Sequence, residues 1–128
     1  MASPASRREL VRFLVLGWIA DDYENLTVSI AGPVTEDGAR CGLAIERVEI
    51  VQALVELVEL GWAKAYVPQS NELVEIDGMP PLTDLDGQDG AWFYITEAGL
   101  EFFRANRDHL WPFDDEDEIR KDWKPPEN

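Results

Sequence analysis

The stretch FYITEAGL at residues 93–100, together with LGWAKAY at residues 60–66, decides the fold of this chain. In the first stretch, an aromatic and β-branched run typical of a strand leads directly into Thr96, a residue type that caps helix N-termini. In the second, an apolar helical pattern stops at Gly61, which accepts a positive φ, and bulky and small residues then alternate as in a strand. The two stretches predict a β-hairpin bracketed by two helices.

Three helices are predicted ahead of this hairpin. The first covers about residues 6–20, with Ser6 as a candidate N-cap and an apolar stripe at three- and four-residue steps. The second is shorter and covers about residues 21–31. Residues 32–42 are rich in Gly, Pro, Thr and Asp, and are therefore expected to form a loop.

The third helix, residues 43–60, has the strongest helical pattern in the chain. One apolar row along it is widened by a second group, so that the helix is more apolar than a single buried face requires. Either Val51 and Val58 or Ile50 and Leu57 are then left for a partner, unless long loops cover them. The first row consists of Val48, Val51, Val55 and Val58, and the widening group of Ile45, Leu54, Leu57 and Leu60.

The second half of the chain is predicted to contain two strands, a fourth helix and a tail. The first strand covers residues 62–67 and ends at a proline, and residues 69–90 are expected to be mostly loop. Residues 91–95 form the second strand, and the fourth helix runs from the Thr96 cap to about residue 108. A domain at residues 1–108 would thus precede an acidic C-terminal tail at residues 109–128. A solvated, mobile tail is expected, but its aromatic residues leave open a tail that docks on a partner or on its own domain.

Composition and charge restrict the classes of function. The 128 residues fit one domain, and the formal charge of −15, from 26 acidic and 11 basic residues, repels polyphosphate and anionic membranes. The apolar run at residues 10–20 is too short to span a bilayer and is followed by acidic residues instead of a cleavage site. We therefore expect a cytoplasmic protein without a membrane partner.

No catalytic or metal-binding motif stands out. The segment 84–89 is rich in Asp, but its glycine falls at the fourth position and the twelfth residue from Asp84 is Ile95, which does not fit an EF-hand loop. One Cys and one His, Cys41 and His109, lie far apart in the sequence, and nothing in it places them together as a nucleophile and base. The expectation is a protein that is not an enzyme and has no cofactor and no metal site.

The order helix, helix, helix, strand, loop, strand, helix resembles the winged helix-turn-helix (winged-helix) superfamily over about residues 6–108. Residues 94–99 look like the tyrosine–aliphatic–threonine–x–x–glycine junction found after the wing in many bacterial winged-helix regulators, and residues 55–62 look like the end of the recognition helix and the start of the wing. Residues 20–26 and 79–81 suggest a narrower likeness to small bacterial members, which implies no known activity. The fold class expected is α+β, mainly helical: three helices, a β-hairpin wing and a C-terminal helix.

The charges on the surfaces that this family lays on DNA have the wrong sign. Members usually place the third helix in the major groove and the wing on the backbone, and phosphate contacts need Lys and Arg. No basic residue occurs between Lys64 and Arg104, the segment that contains the wing. The outward face predicted for the third helix consists of Glu46, Glu49, Gln52, Glu56 and Glu59. The N-terminal basic cluster, Arg7, Arg8 and Arg12, lies on the first helix and is the alternative set of nucleic-acid contacts.

These observations favour a non-enzymatic cytosolic protein-interaction or regulatory module that has kept the fold and lost the DNA-binding charge. Its partner would be another protein, one with a basic surface being favoured, and a homodimer is left open. The alternative is a winged-helix transcriptional regulator that binds DNA as a dimer through the arginines of the first helix. The third reading is an acidic DNA mimic that occupies a nucleic-acid-binding protein.

Overall fold

A computed structural model of the protein describes residues 4–87 and 89–126. Its helices and strands confirm the α+β class and the predominance of helix. The strands form one antiparallel sheet in the order β1–β4–β2–β3. The helices are α1 (Arg7–Trp18), α2 (Ala31–Arg40), α3 (Arg47–Glu59) and α4 (Glu97–Leu110), and the strands are β1 (Glu24–Asn25), β2 (Ala63–Gln69), β3 (Glu72–Ile76) and β4 (Trp92–Ile95).

The two stretches that decide the fold contact each other. The Thr96 side chain accepts a hydrogen bond from the Gly99 amide at 3.0 Å, which caps α4, and its hydroxyl donates to the carbonyl of Gly61 at 2.7 Å. The Thr96 amide donates to the carbonyl of Trp62 at 2.9 Å. Gly61 has φ +79°, as expected of a residue that ends a helix in the left-handed region. The end of α3 and the start of α4 are therefore fixed to each other by one threonine.

The region after α1 differs from the prediction in two places. Residues 21–31 form β1 and a π-helical turn, Leu26–Ile30, because the buried Asn25 side chain accepts from the amides of Thr27 and Val28 and donates to the carbonyls of Gly87 and Ala91. Residues 32–42, predicted as a loop, contain most of α2. Pro33 lies in the first turn of that helix, where an amide hydrogen has no helical partner to lose.

The sheet also has a strand that the sequence did not predict. β2 continues through Pro68 to Gln69 and turns at Ser70 and Asn71, which have φ of +48° and +67°, into β3. β4 pairs with β2 only as far as Tyr66, so the proline lies where β2 has a neighbour on one side alone. The predicted end of the strand at this proline was therefore wrong.

The core is formed mainly by α1 and α3 packed with the inner face of the sheet. On α3, Ile50 and Leu57 are fully buried, whereas Val51 and Val58 are only partly buried and Val48 is 65% exposed. Of the two pairs that the sequence left open, the valines thus remain accessible. They lie on the opposite side of α3 from the residues that contact α1.

The described part of the C-terminal segment folds back on the domain. Phe113 pairs with Ile119 in an isolated antiparallel bridge, and Trp123 is buried and donates its indole hydrogen to the carbonyl of Leu110 at 3.2 Å. The guanidinium of Arg40 lies 4.1 Å from the centre of the Phe113 ring. Up to residue 126, the segment is therefore packed in part, and the expectation of a solvated tail was wrong for its aromatic residues.

Candidate interaction surfaces

The residues predicted for two separate surfaces meet in one layer between α1 and α3. Arg7 Nε lies 2.6 Å from Glu49 Oε1, and Arg12 Nη1 lies 3.2 Å from Glu56 Oε1. Arg8 also forms an ion pair with Glu56. Two of the predicted outward carboxylates therefore face α1, and all three arginines of the N-terminal cluster are paired within the chain.

The ion pairs change the proton affinity of both carboxylates. The hydrogen bond from Arg7 lowers the pKa of Glu49 below its ordinary value. Burial by itself raises the pKa of Glu56, but the hydrogen bonds and charges of Arg8 and Arg12 together outweigh it and leave the pKa lowered. Both side chains are thus held in the charged form at neutral pH, and this favours their role in joining the two helices.

The exposed face of α3 is apolar and acidic. Glu46, Gln52 and Glu59 are exposed, as predicted for an outward face, and between them run Val48, Val51 and Val55. We call these three valines the valine row. Arg47, the basic residue within α3, forms an ion pair with Asp86 of the loop before β4. An accessible row of valines at helical spacing suits packing against another apolar surface and offers nothing to a phosphate.

A second surface, which the sequence analysis missed, lies on the outer face of the sheet. The ring of Tyr23 stacks on that of Tyr94 and meets that of Tyr66 edge-on, with centroids 4.9 Å apart in both pairs. Strand alternation could have placed Tyr66, Trp92 and Tyr94 on one face, since their neighbours Ala65 and Phe93 are buried. Tyr23 precedes β1 and joins them only through the fold.

A groove of about 620 Å³ opens beside these rings, and we call it the sheet groove. Its apolar walls come from Tyr23 and Trp92 and from the β2–β3 hairpin, and three carboxylates border it. None of the described residues that line it is basic. The carboxylates are Asp22, Glu72 and Asp89. The pKa of Glu24, in β1 next to Tyr23, is raised mainly by burial. A hydrogen bond from Ser29 opposes this rise, and the charges of Asp22 and Asp21 add to it.

The residues weighed for chemistry lie in different environments. Cys41 is buried, which raises the pKa of its thiol to about 11, whereas His109 is exposed in the last turn of α4. Asp86 of the acidic loop binds Arg47 and accepts a hydrogen bond from Thr27. Over residues 4–87 and 89–126, no group of three or more His, Cys, Asp or Glu residues is arranged to hold a metal ion.

No protein-family model matches the chain, and no curated protein matches it either. Among the helices of the described residues, none has both the length and the apolar character needed to cross a bilayer. The surfaces themselves therefore supply the argument about function.

Proposed function

We propose that this chain is a non-enzymatic, cytoplasmic protein-interaction domain with a regulatory role, built on a winged-helix arrangement that lacks the basic DNA-contacting surface. The order of the helices and the hairpin that follows α3 support the winged-helix assignment. α3 would then be the helix that members of that family present to DNA.

The observation that carries the proposal is the composition of the exposed face of α3. It presents the valine row flanked by Gln52 and Glu59, with Val48 65% exposed. A helix bound in the major groove needs cations, because neutralised phosphates supply most of the non-specific affinity for DNA. A partner protein, in contrast, gains from covering apolar side chains at positions i, i+3 and i+7.

The ion pairs of α1 argue against the alternative DNA surface. For Arg7, Arg8 and Arg12 to contact phosphates, their bonds to Glu49 and Glu56 would have to break. Even then the two freed carboxylates would lie beside the phosphates and repel them. The alternative of a regulator that binds DNA through these arginines is therefore disfavoured.

The proposal is tested by comparing wild-type protein with the double variant Val48→Asp, Val55→Asp as immobilised baits. A partner that binds through the valine row is retained by the wild type at about 1 M salt, since salt screens charges and leaves apolar contacts intact. The double variant is expected to lose it. The matched control Thr35→Asp, Ala105→Asp adds the same two negative charges at exposed positions of α2 and α4 and should retain it.

Two results would contradict the proposal. Retention of the same partners by the double variant would show that α3 is not the docking face. Partners that are basic nucleic-acid-binding proteins and that leave at about 0.3 M salt would favour the DNA-mimic reading instead.

A further inference from the structure

The sheet groove lies on a different face from α3 and has its own chemistry. Its walls are partly apolar, with Tyr23 38% exposed and Trp92 beside it, and its border is acidic. The groove is shallow and open to solvent, so that it suits an extended chain better than a compact small molecule. The face is already ordered, because Tyr23 is held by contacts with two other tyrosines.

The carboxylates and aromatic rings of the sheet groove together favour arginine as the side chain that would bind there. Arginine is the side chain whose planar guanidinium both stacks on an aromatic face and forms two parallel hydrogen bonds to a carboxylate. Tyr23, which is 38% exposed, offers a ring for stacking, and Asp22, Glu72 and Asp89 are the carboxylates for pairing. A lysine ammonium would gain from the charge but not from the planar stacking.

Among the described residues, two arginines are each paired with a carboxylate and lie over an aromatic ring. The guanidinium of Arg12 lies 5.9 Å from the centre of the Trp62 ring and is paired with Glu56. The guanidinium of Arg40 lies over the Phe113 ring and is paired with Asp117 at 3.3 Å. In the sheet groove, the aromatic and acidic parts of the same arrangement are present, and no described lining residue supplies the guanidinium.

We propose that the sheet groove binds an extended, arginine-containing peptide segment of a partner protein. The inference rests on the proposed function, since it assumes a protein-interaction domain, and it adds a second site and the chemistry of its ligand.

Other occupants fit the groove less well. A second copy of this chain would bring another charge of −15 against the acidic border. Single-stranded nucleic acid would stack on the rings, but its phosphates would meet three carboxylates. A cage for a quaternary ammonium needs rings that enclose a space, whereas Tyr23 is in direct contact with Tyr66 and Tyr94.

The test is a titration of the full chain with fluorescein-labelled peptides of three Gly-Ser-Arg repeats, followed by anisotropy at about 50 mM salt. The same peptide with Lys or with Glu in place of Arg is titrated in parallel. We expect the Arg peptide to bind at least about tenfold more tightly than the Lys peptide, and the Glu peptide not to bind up to about 1 mM.

Two variants locate the binding. The double variant Glu72→Lys, Asp89→Lys should weaken binding of the Arg peptide at least about tenfold. Tyr23→Leu should weaken this binding by about threefold to tenfold, because the stacking interaction is lost. The control, Glu36→Lys with Glu101→Lys, makes the same change in net charge on α2 and α4 and should cost less than about twofold. Circular dichroism of each variant verifies that it is folded. In addition, the side-chain NMR signals of Trp92 should shift on titration of the wild type, a result that needs no variant.

Several outcomes would overturn the inference. These are no binding of the Arg peptide, equal binding of the Arg and Lys peptides, equal weakening by the control variant, or binding of a poly-dT oligonucleotide in preference to the peptide. The proposed function is judged separately, because the valine-row variant Val48→Asp, Val55→Asp leaves the groove intact. If only the Arg peptide fails to bind, the inference about the sheet groove is overturned. If only the α3-dependent capture of a partner fails, the proposed function is overturned.

Discussion

At the scale of single residues, Glu56 is the side chain on which the contact between α1 and α3 depends most. It is 8% exposed, and both Arg8 and Arg12 are paired with it. Glu56→Gln removes the charge and leaves both guanidinium groups without it, so we expect the free energy of unfolding at pH 7 to fall by about 1–3 kcal/mol. Chemical denaturation measures this change.

The difference in the free energy of unfolding between wild type and Glu56→Gln should depend on pH. The pKa of Glu56 is lowered in the folded protein from its ordinary value of 4.5. The charged form of Glu56 therefore stabilises the fold fully at pH values above 4.5. This stabilisation is lost as the pH falls through the lowered pKa of the folded state. The gap between wild type and Glu56→Gln should therefore narrow below about pH 4. Glu59→Gln, an exposed change one turn away on the same helix, is the control. A gap that stayed constant down to about pH 3 would contradict the ion-pair account.

Cys41 offers a second test at this scale. Burial raises the pKa of its thiol from 9.0 to about 11, and only the thiolate reacts with disulfide reagents. At pH 8, the folded protein should react with Ellman's reagent at least about a hundredfold more slowly than the same chain in denaturant. Equal rates in the two states would mean that the thiol is accessible in the folded protein.

At the scale of elements, the packing of α4 against the end of α3 depends on a glycine. A Cβ added to Gly99 would lie 2.2 Å from the backbone oxygen of Trp62, whereas one added to Gly32 in α2 would meet nothing within 4 Å. We therefore expect Gly99→Ala to destabilise the protein by at least about 2 kcal/mol, because a backbone atom cannot move aside as a flexible side chain does.

Gly32→Ala is the matched control for this change. Gly32 lies in the first turn of α2 directly before Pro33, where the helix propensity gained with alanine is opposed by crowding from the proline ring, so stability should change by less than about 1 kcal/mol. Thermal unfolding compares the two variants. Equal melting temperatures for both would show that α4 does not approach Trp62 as closely as described.

The segment after α4 contributes to stability through Trp123. The indole is 5% exposed and is hydrogen-bonded to Leu110, so Trp123→Ala should lower the free energy of unfolding by about 3 kcal/mol. Lys121→Ala, an exposed change two residues earlier, should have almost no effect. If Trp123→Ala also had almost no effect on the free energy of unfolding, the segment would be the solvated tail that its charge suggested.

Elements were predictable where their signals are local. The Thr96 cap, Gly61 and the strand before Thr96 are encoded within a few residues, and all are found in the structure. β1 was missed because Asn25 is held by the carbonyls of Gly87 and Ala91, more than sixty residues away. No periodicity in residues 21–31 carries that information.

At the scale of the whole molecule, the candidate surfaces were predicted only in part. The sequence showed that α3 has more apolar residues than one buried face needs. It did not show which of them remain accessible, because a row of valines and a row of Ile and Leu are equally suited to a core. The pairing of the N-terminal arginines with Glu49 and Glu56 joins residues more than forty positions apart. The sheet groove likewise depends on β3 and on the placement of Tyr23, neither of which the sequence predicted.

The distribution of charge is the basis of our proposal that this molecule does not act by binding DNA. Its net charge is −15, its N-terminal arginines are paired internally, and its two candidate surfaces are apolar or aromatic with acidic borders. Such a net charge repels a duplex at long range.

The most direct test is fluorescence anisotropy of a labelled random-sequence duplex titrated with the full chain at about 20 mM salt, where non-specific electrostatic binding is strongest. We predict no binding up to about 50 µM protein. Binding that weakens steeply with added salt and disappears in the variant Arg7→Ala, Arg8→Ala, Arg12→Ala would contradict the account and favour the transcriptional regulator.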